Sequence, residues 1–305
     1  MRTVPLGPTG VQVPAVALGA NCSGLPQAEG ERFYRTAIEL GINFFDHADI
    51  YGEGSCESNF AARLPLSPAL RETVFVQSKC GIHPGTGFDF SAERIQSAVD
   101  GSLARLGTEY LDVLLLHRPD ALMEPDEIAG AFDRLQATGK VRHFGVSNHN
   151  PMMIELLRHS VTQPLVANQL QFGLGHASMA TSGLNMNIAN DAAVDRDGGI
   201  LYYSRLRRMT IQTWSPLRHG FFSGMIFDRD RFPALNEKLD ALAGQYGVAP
   251  VAIALAWILR IPGSMQVVLG TSNLQHLKES ARAADIALSR KEWYDLWVSA
   301  GNKIP

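Results

Sequence analysis

Short apolar runs alternate along the chain with longer segments of helical periodicity. The clearest helical pattern lies in residues 91–106, and a glycine follows it at position 107. Its apolar and small positions recur at intervals of three and four residues, namely Ile95, Ala98, Val99, Ser102, Leu103 and Leu106. Residues 113–116, by contrast, are continuously apolar, which is typical of a parallel strand buried on both faces. The pattern predicts a protein in which strands and helices alternate.

Eight strands are predicted from these runs, at residues 15–18, 42–46, 74–79, 111–117, 141–147, 165–169, 210–214 and 266–269. Helices are predicted at residues 29–40, 91–106, 151–159, 199–208, 234–246, 250–259, 274–284 and 291–299, and another is capped by Asp126 and ends at Gly139. Alternation over this length predicts an α/β fold, a TIM (β/α)8 barrel that forms one domain over residues 1–305 and carries an extra C-terminal helix. A doubly wound sheet is the structural alternative, but no G-x-G-x-x-G motif follows the first strand.

Two segments stand outside this alternation. Residues 2–13 place Gly7 and Gly10 between short apolar pieces, which predicts an N-terminal hairpin that caps the barrel floor. Residues 172–197 are polar and have little periodicity, and a stretch of this length is usually a functional loop or lid. Its methionines, Met179 and Met186, either line the mouth of the barrel or are solvated.

The composition narrows the class of protein. Of the 305 residues, 46% are hydrophobic and 19% are charged, so the chain has enough apolar material for a large core. The net charge of −3 argues against nucleic acid as a partner, because phosphate binding needs a basic field. We find no signal-peptide pattern, and the longest apolar run, at residues 251–259, is far below the roughly 20 residues that span a membrane. We expect a cytoplasmic enzyme for a small molecule, without a membrane partner and with a monomeric or small homo-oligomeric form.

The cysteines and most histidines carry no pattern of a metal site. Cys22, Cys56 and Cys80 are scattered and odd in number, which suits a reducing compartment. The histidines outside the candidate site have no ligand spacing, so no metal is expected. Cys80 is expected to point into the helix layer, because it neighbours Lys79 on a strand.

Polar residues end one apolar strand after another. Three successive strands end at Asp46, Lys79 and His117. The later strands also end at polar or small residues or at a tryptophan, namely Ser147 with Asn148, Gln169, Trp214 with Ser215, and Gly270 with Thr271. Each has an ordinary structural explanation by itself: Asp46 as a turn cap, Lys79 as a solvated strand end, His117 as a core histidine. In a barrel, however, these ends meet at one mouth, where buried charges must pair and where enzymes place their catalytic groups.

The residues at this mouth suit proton transfer. A lysine beside an aspartate stays charged in a partly dry site and favours the phenolate form of a nearby tyrosine. The candidate is Tyr51, five residues after Asp46, and it could donate a proton to a carbonyl oxygen. His117 could orient that carbonyl. The set holds no nucleophile and no metal triad, so it suits the addition of hydride and a proton to a carbonyl group, with a cofactor as hydride source.

Seven motifs occur in the order expected of the aldo-keto reductases: FFDHADIYG, SKCGI, LLLHRPD, GVSNHN, NQLQ, WSPL and VLGTSN. The resemblance extends from about Thr3 to Leu288, and HADIYG, SKCGI, HRPD and GKVRHFGVSN are especially similar to a bacterial branch of oxidoreductases. It implies an NADPH-dependent reductase on a TIM barrel. The family's catalytic tetrad falls on Asp46, Tyr51, Lys79 and His117.

The same resemblance implies a set of cofactor-binding residues. Ser147, Asn148 and Gln169 would hold the nicotinamide carboxamide, and Trp214 would stack on the nicotinamide ring. The segment from Ser215 to Leu217 and the loop to Gly224 would wrap the pyrophosphate. The adenosine phosphate would lie at Gly270, Thr271, Ser272 and Asn273, where the last repeat helix begins.

Two positions and one segment depart from the family pattern, and the segment, residues 172–197, has no pattern tied to a known substrate. His47 stands where many members have threonine, and we expect only an indirect effect. His276 stands where many have an arginine that pairs with the 2′-phosphate of NADPH, with Lys278 or Arg282 as possible substitutes, so NADPH is expected and NADH is possible. Arg118 is interpreted as the structural partner of a nearby carboxylate rather than as a group that holds substrate.

Two other function classes stay open at this point. A nucleotide-binding regulatory subunit with little turnover is one, because channel β-subunit-like relatives of this fold use the bound nucleotide to control a partner. An isomerase or lyase that uses Asp46 and Lys79 directly is the other, and it would have no need of Asn148, Gln169 or Trp214. The substrate class is left open among sugars, quinones, aliphatic aldehydes and steroids.

Overall fold

The computed structural model describes residues 1–20, 24–221 and 223–305. Within them the strands are β1 (Thr3–Pro5), β2 (Gln12–Pro14), β3 (Val16–Gly19), β4 (Phe44–Asp46), β5 (Phe75–Cys80), β6 (Ile82–His83), β7 (Gly87–Phe88), β8 (Leu111–Leu116), β9 (Val141–Ser147), β10 (Leu165–Gln171), β11 (Thr210–Trp214) and β12 (Met265–Leu269). Eight of them, β3, β4, β5 and β8 to β12, pair in parallel and close into a barrel. The predicted TIM barrel is confirmed, and each predicted strand is present with bounds that differ from the expected ones by two residues at most.

Helices surround this barrel and separate its strands. They are α1 (Gln27–Glu39), α2 (Ser55–Arg63), α3 (Pro68–Arg71), α4 (Ala92–Leu106), α5 (Pro125–Ala137), α6 (Pro151–Arg158), α7 (Ser178–Leu184), α8 (Ile200–Leu206), α9 (Pro233–Tyr246), α10 (Pro250–Leu259), α11 (Leu274–Ala281) and α12 (Arg290–Ser299). The N-cap of α5 is Glu124 and not Asp126, which lies inside the first turn. In the described ranges no single helix is long and apolar enough to cross a membrane; α9 and α10 pass that test only together, across a 93° bend.

Helix α4 illustrates how local sequence sets these elements. The Ser91 hydroxyl accepts a hydrogen bond from the backbone N–H of Arg94, which caps the first turn. Gly107 ends the helix in the left-handed region, at φ 63°. Its buried residues are the six that the periodicity predicted, and they pack against the barrel. Helix α10 differs from α4 because it is apolar on all sides, and its residues 252–259 are all buried.

The N-terminal hairpin of β1 and β2 closes the floor of the barrel, as predicted. The backbone N–H of Gly7 donates to the Thr210 hydroxyl at the start of β11, and that hydroxyl donates to the carbonyl of Pro5, both at 2.8 Å. Gly7 has φ 55°, and a Cβ there would lie 2.7 Å from the Cα of Val166. Only glycine therefore lets the hairpin turn approach the barrel so closely.

The expectation for residues 172–197 is wrong in part. The segment is not an unstructured lid, because it contains α7 and a short 3₁₀ turn at Asp191–Ala193. Met179 is buried in the core and Met186 is exposed, and no residue of the segment lines the large cavity described below. A short hairpin of β6 and β7, which the sequence analysis did not predict, lies on the active-site side instead and contributes Ile82 to the cavity wall.

Candidate active site

The carboxyl ends of the barrel strands bring the predicted tetrad together. Asp46 ends β4, Lys79 lies one residue before the end of β5, and His117 directly follows β8. The Lys79 ammonium donates to Asp46 Oδ2 and to the backbone carbonyl of His47, both at 2.8 Å, and lies 3.3 Å from the Tyr51 hydroxyl. We call these four residues the acid–base end of the cavity.

Lys79 is fully buried, and its charge depends on its neighbours. Burial acts to lower the pKa of the ammonium, but the Asp46 carboxylate and the Tyr51 hydroxyl raise it by more, so the pKa lies above its ordinary value. The lysine is therefore a cation, and its ammonium lies 3.3 Å from the Tyr51 hydroxyl. A charged ammonium is not a nucleophile, so this form of Lys79 suits electrostatic stabilisation of a neighbouring group rather than attack on a substrate.

His117 faces Tyr51 as a neutral imidazole. The two ring centroids are 5.8 Å apart in an edge-on arrangement. Burial, and then the positive charges of Lys79 and Arg118, lower the pKa of His117 to about 2. A neutral ring can donate one hydrogen bond and accept another, and its Nδ1 atom has no partner among the described residues.

His47 is buried directly behind this group, and its backbone, not its ring, takes part in the site. The ring packs on Phe60 at a centroid distance of 4.6 Å, and neither ring nitrogen has a hydrogen-bond partner among the described residues. Burial and the charge of Lys79 lower the pKa of His47 to about 3. Its backbone carbonyl accepts from Lys79, as any residue at this position could.

A layer of four buried glutamines lies inside the barrel beneath Asp46. Asp46 Oδ1 accepts from Gln77 Nε2 at 2.6 Å and from Gln169 Nε2 at 3.1 Å. Both of these amides also donate to Gln212 Oε1, and Gln212 Nε2 donates to Gln77 Oε1 and Gln266 Oε1. Branched apolar side chains usually fill a barrel at this depth. Here an amide network holds one oxygen of Asp46 and leaves the other for Lys79.

The predicted nicotinamide residues surround one wall of the cavity. Asn148, at φ 61°, donates to the Ser147 hydroxyl at 2.8 Å and accepts from the Trp214 indole N–H at 3.1 Å. The Ser147 hydroxyl in turn donates to the carbonyl of Gln169 at 2.9 Å. These bonds fix the half-buried indole of Trp214 against the cavity, with a flat face available for an aromatic ring.

The loop after Trp214 and the start of α11 form the opposite end of the cavity. Ser215, at φ 46°, and Leu217 line it, as do Gly270 and Thr271. Residue 222 of the loop lies outside the described part of the chain. We call residues 270–276 the adenosine end, after the adenosine phosphate that is expected there from the sequence.

Two predicted residues of the adenosine end do not line the cavity. Ser272 is exposed, and the Asn273 side chain accepts from the backbone N–H groups of Gln275 and His276. Asn273 is thus the N-cap of α11 rather than a free donor. His276, by contrast, does line the cavity.

The cavity has a volume of about 780 Å³ and connects the acid–base end to the adenosine end. It lies within the common range of ligand sites, which is about 300–1,000 Å³. Side-chain amides, an indole face and a helix start follow one another along it. The residues present therefore fit a nicotinamide dinucleotide.

Within the described part of the chain, Arg118 does not have the carboxylate partner that was expected for it. Arg118 lines the cavity beside His117, and no carboxylate of the described residues forms an ion pair with it. Its guanidinium lies near the rings of Trp214 and Phe221 instead. The sequence analysis also missed Gln77, although its position two residues before Lys79 places both side chains on the same face of β5. Cys80 is free and buried. Cys56 is disulfide-bonded, which does not agree with the reducing compartment expected from the cysteines. Cys22 lies outside the described residues.

Comparison with known proteins agrees with this geometry. Residues 15–297 match the sequence model of the Aldo/keto reductase family. The chain is 33% identical to a 6-dehydroglucose reductase of Agrobacterium fabrum, with 87% of this chain and 86% of the relative covered. It is 32% identical to oxidoreductase YdhF of Escherichia coli, over 90% of this chain and 88% of the relative. The crystal structure of a thermostable aldo-keto reductase has the same fold, with a TM-score of 0.77, 24% identity, and coverage of 98% of this chain and 100% of that one. The chain belongs to the aldo/keto reductase family of NAD(P)H-dependent oxidoreductases.

Proposed function

We propose that this protein reduces an aldehyde or ketone to an alcohol, with NADPH as the hydride donor and Tyr51 as the general acid. One observation carries the proposal: the Lys79 ammonium is held between Asp46 at 2.8 Å and the Tyr51 hydroxyl at 3.3 Å, where the cavity ends. A buried cation beside a phenol stabilises the phenolate that remains after proton donation. The arrangement thus supports proton transfer to an oxygen bound in the cavity.

Each residue of the acid–base end has a defined task in this reaction. Tyr51 donates its proton to the carbonyl oxygen as negative charge develops there. Lys79 stabilises the phenolate, and Asp46 keeps the lysine charged and in place. The neutral imidazole of His117, 5.8 Å from the Tyr51 ring, donates a hydrogen bond to the carbonyl oxygen and orients it. The nicotinamide, when bound, supplies the hydride to the carbonyl carbon.

The opposite wall is proposed to hold the cofactor. Asn148 and Gln169 would bind the carboxamide, and the indole of Trp214 would stack on the nicotinamide ring. The backbone of Ser215 and Leu217 would contact the pyrophosphate, and the adenosine end would receive the rest. The hydrogen bond from the Trp214 indole to Asn148 supports this assignment, because it fixes the indole before any ligand binds.

Oxidation of NADPH in the presence of a carbonyl panel tests the proposal. The panel contains aliphatic aldehydes, quinones, ketosteroids and sugar aldehydes; 6-dehydroglucose is included because a relative is named for its reduction. We expect turnover with at least one class, and loss of that turnover in Tyr51→Phe. Tight NADPH binding without turnover of any carbonyl would refute the proposal and favour a nucleotide-binding regulatory subunit.

A further inference from the structure

Arg118 is a cationic group of the cavity that has no role in the proposed mechanism. It directly follows His117, lines the cavity and is half-buried. Its guanidinium carbon lies 5.8 Å from the Trp214 ring centroid and 5.6 Å from that of Phe221. The arginine therefore lies over the space between the acid–base end and the cofactor wall, where a substrate must bind.

The other buried or half-buried arginines of the described residues all donate to a protein group. Arg63 and Arg218 donate to backbone carbonyls, and the rest pair with a carboxylate. Three such pairs have N–O distances of 2.7 to 2.8 Å: Arg71 with Asp112, Arg94 with Asp49, and Arg105 with Glu57. For Arg118 neither an ion pair nor a hydrogen bond to any described residue is present. Neither of the two carboxylates that line the cavity forms an ion pair with Arg118. Asp46 pairs with Lys79, and Glu279 lies on α11 at the adenosine end.

An unpaired cation in this position costs free energy, because removing charge from water is unfavourable without a partner. In agreement, burial lowers the pKa of Arg118, and only the negative form of Tyr51 opposes this. The two aromatic rings offset part of the cost through cation–π attraction. They leave the N–H donors of the guanidinium unsatisfied by the protein.

We propose that Arg118 binds an anionic group of the substrate, a carboxylate or a phosphate, so that the preferred substrates are carbonyl compounds that carry such a group. The inference rests on the proposed reductase function. A guanidinium presents paired donors that match two oxygens of a carboxylate or phosphate. Because Arg118 neighbours His117 in the chain, the anion is close to the carbonyl that His117 orients.

Matched pairs of aldehydes test this inference. The carboxylate arm compares 4-oxobutanoate with its methyl ester, and the phosphate arm compares glyceraldehyde 3-phosphate with glyceraldehyde. In each arm the readout is the ratio of kcat/KM for the charged over the neutral aldehyde. We expect a ratio of about 10 or more in the wild-type enzyme for at least one arm, which also identifies the anion. In Arg118→Met this ratio is expected to fall by about 10- to 100-fold, as for the loss of a hydrogen-bonded charge pair.

Two further variants make the result specific. Arg118→Lys keeps the charge but loses the paired donors, so its ratio is expected between those of the wild type and Arg118→Met. Arg218→Met removes the same charge from another half-buried arginine of the cavity, one that donates to the carbonyl of Ser223 in the cofactor loop. Its expected effect is on the KM for NADPH, with the ratio retained.

The outcomes separate this inference from the proposed function. If no aldehyde of the panel is reduced, the reductase proposal itself fails. If neutral aldehydes are reduced while neither arm gives a wild-type ratio of about 10 or more, or the ratio is the same in Arg118→Met, the role of Arg118 is overturned and the reductase proposal stands. A fall in the ratio with Arg218→Met equal to that with Arg118→Met would also overturn it, because it would show a general effect of charge.

Discussion

At the acid–base end of the cavity, Asp46, Lys79 and His117 lie at the ends of barrel strands and are almost fully buried, and half-buried Tyr51 begins a 3₁₀ turn after β4. At the adenosine end, by contrast, the groups come from a loop that solvent reaches. Lys79 is 0% exposed and Asp46 3%, and each of them has several hydrogen-bond partners. Ser272, Asn273 and His276 are exposed, and the Asn273 side chain caps the N-terminus of α11. The barrel therefore fixes the groups for proton transfer before substrate binds, while the groups proposed to select the cofactor are held by little more than their helix cap.

This contrast predicts that the two ends can be changed separately. Substitutions at the acid–base end should alter kcat, its pH dependence, or stability. Substitutions at the adenosine end should alter the preference between cofactors. A variant at one end that changes the property assigned to the other would contradict the comparison.

The largest effect is expected for Tyr51→Phe. Loss of the proton donor should lower kcat by about 100-fold or more, because no other group that reaches the carbonyl oxygen carries a proton of similar acidity. The affinity for NADPH, measured by fluorescence titration, should stay near that of the wild type. Lys79→Met should impair the same step, since it removes the cation that stabilises the phenolate. An unchanged kcat in Tyr51→Phe would remove Tyr51 from its proposed role.

The buried histidine His47 should make stability depend on pH. Its pKa is about 3 in the folded protein against about 6.5 when unfolded, so between these values the unfolded chain binds the extra proton and stability falls as pH falls. At pH 5 this loss is about 2 kcal/mol relative to neutral pH. His47→Thr should therefore show a smaller drop in Tm between pH 8 and pH 5 than the wild type. Parallel Tm curves for the two proteins would show that His47 titrates normally.

The glutamine layer gives a test within the barrel. Gln77→Met keeps the volume but removes a 2.6 Å hydrogen bond to Asp46, and we expect kcat to fall by about 10-fold with a shifted pH profile. Gln266→Met is the matched control, since Gln266 is equally buried in the same layer but does not contact Asp46. Both variants should have a lower Tm, and only Gln77→Met should change the pH profile. Equal kcat profiles for the two would make the layer purely structural.

The smallest effect is expected at the adenosine end. We expect a higher kcat/KM with NADPH than with NADH, and His276→Arg should increase that preference several-fold, because a guanidinium presents paired donors to a phosphate and an imidazole does not. The gain is limited by exposure, since solvent screens charges there. The kcat at saturating cofactor should not change. Equal kcat/KM values for both cofactors in the wild type would refute the preference.

Features set by local pattern could be predicted from the sequence. The barrel follows from the alternation of apolar runs and helical periods, and Asp46, Lys79 and His117 were found because each ends an apolar run. Features set by contacts between distant segments could not. Nothing near Arg118 shows that it lacks a carboxylate, and nothing near Asn273 shows that its side chain points back to its helix. The sequence indicates the glutamine layer only in part. Gln77 lies on the same strand face as Lys79, but Gln212 and Gln266 come close to Gln77 only when the barrel closes.

The glutamine layer also has a fixed direction. At one end Gln266 Nε2 donates to the carbonyl of Pro14 at the barrel floor, and at the other Gln77 donates to Asp46. Both terminal groups can only accept, so every amide between them has one permitted orientation. Asp46→Asn would place a donor at that end, but Gln266 would still have to donate to the carbonyl of Pro14, and Gln212 would still have to donate to Gln266. The carboxylate at the mouth and the carbonyl of Pro14 at the floor thus require the same orientation of the amides from opposite ends of the barrel.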